Sequence, residues 1–112
     1  MARRYTPRKG DFIALSFDPQ TGHEQQGRRP ALVVSNDLFN ERTGLCIVCP
    51  ITRTDRGYPF HVPIPDGGPV EGSVMVEQVK SMDFGARGAR RIGVAPQSVL
   101  DEALALLDAC LY

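Results

Sequence analysis

The chain has 112 residues, of which 42% are hydrophobic and 23% charged, and its formal net charge is zero. This length suits one modest core, read here as one domain over 1–112, and the neutral balance argues against a bulk polyanion binder. No apolar run is long enough to span a bilayer. The basic Arg3-Arg4 opening has no apolar segment behind it, so no secretory signal and a cytoplasmic location are expected.

A first strand is expected over 10–17 and a second over 31–35. Between them, Asp18-Pro19-Gln20-Thr21-Gly22 is turn chemistry. The stretch Gly22-His23-Glu24-Gln25-Gln26-Gly27-Arg28-Arg29-Pro30 then reads as the loop that joins the two strands. Its glycines permit tight turns and Pro30 fixes the backbone at the start of the second strand. An ordinary hairpin needs only a few turn residues. A longer loop carrying a carboxylate, amides and guanidiniums is a candidate binding or catalytic loop; the alternative is a solvated loop whose ion pairs contribute little.

Residues 36–44 have a cap-like start, a short apolar pair and a terminating glycine, which predicts one helical turn or an elaborate connection. A third strand over 45–52 is apolar on both faces and therefore central. It holds Cys46 and Cys49 in C-x-x-C spacing. Side chains an odd number apart on a strand face opposite sides, and no second cysteine or histidine pair completes a metal site. Both read as small core residues, and neither a metal nor another cofactor is expected.

Residues 60–64 alternate, with Phe60, Val62 and Ile64 inward, His61 outward as a surface residue, and Pro63 marking an edge strand. A longer strand is expected over 72–82, with Glu77, Gln78 and Lys80 set into it, and a short one over 92–94. Pro96 suits the first position of a helix. On that helix Leu100, Leu104, Leu107 and Leu111 form one apolar stripe, and Val99, Ala103, Leu106 and Cys110 a second beside it. Short strands, frequent turns and one terminal helix make a mainly β chain, folded as a small, strongly bent antiparallel barrel. The helix face is broad enough either to be buried by one barrel or to leave surface for a partner.

The chemistry is narrowed by what is missing. No G-x-S-x-G, P-loop or H-E-x-x-H motif is present, and the only histidines are His23 and His61. Glu24, Arg28, Arg29, Thr52, Arg53 and Gln78 remain, and this set suits a phosphodiester. An RNA strand carries its own nucleophile, the 2′-hydroxyl. A carboxylate can deprotonate it, a guanidinium can fork onto the phosphorane oxygens, and a threonine hydroxyl can donate to a phosphoryl oxygen. A guanidinium is a poor proton-transfer group, so charge stabilisation is its easier role.

These residues also carry a resemblance. Gly10-Asp11, Asp18-Pro19 and the run from Gly22 through Ala31 resemble the MazF/PemK toxins of bacterial toxin–antitoxin pairs, with wording near the ChpB-like branch. The likeness continues through Val34-Ser35, Thr43-Gly44, Pro50-Ile51-Thr52, Gly57-Tyr58-Pro59-Phe60, Glu77-Gln78-Val79-Lys80-Ser81 and Ala86-Arg87, in order over nearly the whole chain. The resemblance implies an SH3-like barrel, a homodimer, and a metal-independent, sequence-selective endoribonuclease. Such an enzyme cuts single-stranded RNA to leave 2′,3′-cyclic phosphate and 5′-hydroxyl ends. It also implies a cognate MazE-like antitoxin with a flexible acidic tail.

Carried onto this chain, Arg29 and Thr52 are the catalytic pair and Glu24 matches a position proposed as the base. Gln78 and Arg87 fall where substrate contacts are expected, and His23, Gln25, Arg28, Arg53 and Lys80 are candidate contacts beside them. Position 28 is a departure, since some relatives carry histidine there; Arg28 either leaves proton transfer to Glu24, His23 or Arg29, or adds a phosphate contact. The alternative is a CcdB-like toxin of the same fold that poisons a topoisomerase by protein contact. CcdB-like toxins lack the loop that this chain carries from Glu24 to Pro30.

Overall fold

The structure is a computed structural model and describes residues 5–17, 27–54 and 57–112. In chain order the elements are β1 (Asp11–Ser16), β2 (Arg28–Val33), α1 (Asp37–Thr43), β3 (Leu45–Thr52), β4 (His61–Pro63), β5 (Ser73–Met75), a 3₁₀ turn (Val76–Gln78), β6 (Lys80–Asp83), β7 (Arg90–Val94) and α2 (Gln97–Leu111). The strands pair antiparallel in the order β4-β5-β3-β2-β1-β7, and β6 also pairs with β3. The mainly β chain with a C-terminal helix is thus as expected.

The two faces of the sheet bury different side chains because successive residues on a strand point to opposite sides. Phe12, Leu32, Cys49 and Ile51 pack with Val62, Val74 and Val76 under Val99, Leu100 and Ala103 of α2. Ile13, Leu15, Ala31, Val33, Cys46 and Val48 face the other way and pack with Met82 and Phe84. Cys46 and Cys49 therefore serve opposite cores, as their odd spacing predicts. Burial pushes both thiols up to about 12, so neither is a thiolate near neutral pH.

Three elements differ from the sequence reading. The single strand over 72–82 is two strands. β5 pairs with Ile51 and Thr52 at one end of β3, whereas β6 pairs with residues from Leu45 to Val48 further back. The 3₁₀ turn between them carries the chain from one stretch of β3 to the other. The connection over 36–44 is a seven-residue helix, α1, closed by Gly44 at φ 73° in the left-handed conformation that glycine adopts freely. Finally, β2 begins at Arg28, so Arg28, Arg29 and Pro30 belong to a strand and not to the preceding loop.

Candidate active site

β2 starts early because its pairing with β1 continues to the last residue of β1: Ser16 opposes Arg28, Leu15 opposes Arg29 and Ala14 opposes Pro30. On its other edge β2 pairs with β3, and Ala31 opposes Pro50. Two residues beyond this pair, Arg29 lies near the start of β2 and Thr52 ends β3. Both open into a cleft of about 700 Å³. Ala14, Arg28, Arg29 and Pro30 line it, with Ile51, Thr52 and Arg53, and with Gly68, Pro69, Val70, Glu71 and Ile92. The structure thus brings four of the expected residues, Arg28, Arg29, Thr52 and Arg53, to one cavity.

The 68–71 wall is held against Thr52 by Gly72. Its φ is +117°, and a Cβ there would lie 2.1 Å from the Thr52 carbonyl oxygen, so only glycine allows the approach. The Thr52 hydroxyl is itself oriented: Oγ1 accepts the Thr54 N–H at 3.1 Å and donates to the Thr54 carbonyl at 3.3 Å. A phosphoryl oxygen in the cleft would take over that proton while the Thr54 N–H kept the oxygen in place.

Arg28 and Arg29 are neighbours with different settings. The Arg28 guanidinium is half-buried, and Nη2 donates to the Ala14 carbonyl at 3.2 Å and the Gly88 carbonyl at 2.9 Å. It ties β1 to the turn that follows β6. Arg29 is exposed at the cleft wall. Together with Arg53, the described lining holds three guanidiniums against one carboxylate, Glu71, which favours an anionic ligand such as a phosphodiester.

The remaining expected residues lie elsewhere. Gln78 lines a second cleft of about 310 Å³, with Thr52, Thr54, Tyr58, His61, Met75 and Glu77. Thr52 is common to both. Arg87 sits at the end of β1, where its backbone carbonyl accepts the Ser16 N–H at 3.0 Å and its Nη1 lies 3.5 Å from the Ser16 carbonyl. Lys80 is exposed on β6, with Nζ 5.4 Å from the centre of the Phe17 ring. Neither Arg87 nor Lys80 lines the two clefts. His23, Glu24 and Gln25 lie outside the described residues.

His61 corrects the sequence reading: it is not a surface residue. Its side chain is 4% exposed, and Nε2 lies 3.0 Å from Oε2 of Glu77. Strand alternation does place it opposite Val62, but the 3₁₀ turn brings Glu77 over that face, which alternation alone does not reveal. Tyr58 was also missed as a lining residue. The 67–72 stretch was expected to shape the pocket, but nothing in the spacing of Glu71 points to Arg29.

Residues 8–111 match the family of the PemK-like, MazF-like toxin of type II toxin–antitoxin systems. The chain belongs to this family. Among MazF/PemK relatives, it is 44% identical to the endoribonuclease toxin MazF of Escherichia coli strain K12, over 88% of this chain and 89% of that protein. It is 45% identical to the endoribonuclease toxin ChpB of the same strain, over 97% of each. Among solved structures it resembles MazF from Deinococcus radiodurans, at a TM-score of 0.87 and 42% identity over 96% of this chain and 98% of that one. It resembles equally well a MazE–MazF structure from the same organism, at a TM-score of 0.88 and 42% identity over 96% and 97% of the two chains. Within this MazF/PemK chain the departure at position 28 has a structural side, because Arg28 holds backbone carbonyls while Arg29 alone of the pair is exposed in the cleft.

Proposed function

We infer that this chain is the toxin of a toxin–antitoxin pair and cuts single-stranded RNA without a metal ion. The observation that carries this reading is the convergence of Arg29 and Thr52 on one guanidinium-lined cleft. In the proposed reaction, Glu24 removes the proton of the 2′-hydroxyl. The oxygen attacks the adjacent phosphorus, the P–O5′ bond breaks, and the departing 5′-oxygen takes a proton from solvent water. Arg29 forks onto the non-bridging oxygens as charge builds there, and Thr52 donates its hydroxyl proton to one of them. The products are a 2′,3′-cyclic phosphate and a 5′-hydroxyl end. Arg28, Arg53 and Gln78 are proposed substrate contacts around this centre, with His23, Gln25, Lys80 and Arg87 further along the strand.

The proposed partners are single-stranded RNA, whose unpaired bases expose their edges for reading, a MazE-like antitoxin, and a second copy of the chain. Exposed Ile92 and Val94 on β7 and Leu111 on α2 supply apolar surface for such contacts. Among the described residues no helix is long and apolar enough to cross a membrane, and the cytoplasm is the proposed location. The topoisomerase-poison alternative gains no support, since the relatives named above are endoribonucleases by name.

The test is incubation of purified protein with naked single-stranded RNA in excess chelator. The expected result is discrete new ends of the stated chemistry, and no cut at a site whose sugar lacks the 2′-hydroxyl. Absence of cutting, or cutting that the chelator abolishes, would overturn the reading.

A further inference from the structure

The two clefts that meet at Thr52 differ in chemistry. The larger has three guanidiniums among its lining, Arg28, Arg29 and Arg53. The smaller has neither lysine nor arginine among its described lining, and offers the Tyr58 phenol, the His61 imidazole, a thioether, two threonine hydroxyls, an amide and the Glu77 carboxylate. A carboxylate disfavours a phosphate but accepts well from the N–H groups of a nucleobase, and an aromatic face stacks on any base.

The aromatic ring is held in place from below. Tyr58 is 52% exposed. Its ring meets the His61 ring edge-on, with centroids 5.0 Å apart and planes at 79°. Its backbone carbonyl accepts the His61 N–H at 3.1 Å. His61 is in turn fixed by Glu77. One buried imidazole therefore positions both the platform and the carboxylate, before any ligand arrives.

We propose that this second cleft takes the nucleobase of a nucleotide flanking the scissile linkage, stacked on Tyr58 and read at its edge by Gln78 and Glu77. The proposal rests on the ribonuclease reading above and adds two residues to it. Tyr58 is a specificity-determining contact, and His61 is a positioning residue that acts through Tyr58 and Glu77.

The test compares the wild type with Tyr58→Leu, Tyr58→Phe and His61→Gln on a random-sequence RNA library. A defined oligonucleotide accompanies it, in which each nucleotide flanking the cut is made abasic in turn. One abasic substitution is expected to lower wild-type kcat/KM by roughly ten- to a hundredfold, the range of base–aromatic stacking. Tyr58→Leu should show a similar loss on the full oligonucleotide, mainly in KM, with little further loss on the abasic one. It should also lose base preference at that one position, and Tyr58→Phe should restore it. His61→Gln should shift preference at the same position only.

Cutting by Tyr58→Leu with wild-type preference and the full abasic penalty would overturn this proposal and leave the ribonuclease reading intact. So would a wild-type rate that neither abasic substitution lowers, a result that needs no variant to fold. A wild type that cuts nothing would overturn both readings.

Discussion

Arg29 and Thr52 line the same cleft from adjacent strands, because the β2–β3 pairing that sets Ala31 opposite Pro50 carries both chains into it together. In the proposed reaction both groups act on one phosphoryl centre, so Arg29→Ala and Thr52→Ala are each expected to lower cleavage roughly a hundredfold or more, as for other oxyanion contacts. Arg29→Lys should restore little, since an ammonium keeps the charge but not the planar fork. The double variant should lose less than the product of the two single losses, because the groups serve one transition state. Initial rates on a single-site oligonucleotide check all four variants.

Arg28 should respond differently from its neighbour. Its guanidinium spans the carbonyls of Ala14 and Gly88; a hydrogen bond to a charged group contributes about 1.5–3 kcal/mol, and two partly solvated ones from a single Nη2 are together expected to give about that much. Arg28→Ala is expected to lower unfolding stability by an amount in that range, read as a shift in urea midpoint. Its cleavage rate, measured while folded, should fall far less than that of Arg29→Ala.

Gly72 fixes the wall of the cleft. Gly72→Ala places a Cβ against the Thr52 carbonyl and puts an L residue at φ +117°. The strained backbone alone costs about 1–3 kcal/mol, and the clash adds to it. The expected outcome is a clear drop in thermal midpoint together with reduced cleavage, because Thr52 must move. Substitution of Gly67 makes a useful contrast: its φ is also positive, at +95°, but a Cβ there meets nothing within 4 Å. Gly67→Ala should therefore lose stability from strain alone.

The thiols give a pH signature. Cys46 and Cys49 are free and buried, and both are pushed up to about 12 from the ordinary thiol value of 9.0. Between those limits the unfolded chain releases these protons and the folded chain keeps them. Their contribution to stability is therefore intact below about pH 9 and is lost as the pH rises toward 12. Urea unfolding followed from pH 8 upward should show this decline, and Cys46→Ser with Cys49→Ser should flatten it if the double variant folds. Independently, alkylation at pH 8 followed by peptide mass mapping should leave both unmodified until the protein is unfolded.

Much of this was legible without coordinates wherever the pattern was local. The span of β3, the opposed burial of Cys46 and Cys49, and the stripe of α2 all follow from periodicity, because strand and helix geometry dictate which side chains share a face. The residue types suited to a phosphodiester were legible for the same reason: a fork of donors and a hydroxyl are properties of side chains.

What the sequence alone determined was the mainly β order with its terminal helix and the class of chemistry. Only the tertiary structure decided where that chemistry sits. Arg29 proved to be a strand residue because β1 pairs with β2 as far as Arg28, and His61 turned out buried because a 3₁₀ turn lays Glu77 over it. The separation of Arg28 from Arg29, and of one cleft from the other, depends on carbonyls and side chains from distant segments. Such contacts leave no periodic trace, since they arise from strand register and from turns that change a strand's partner.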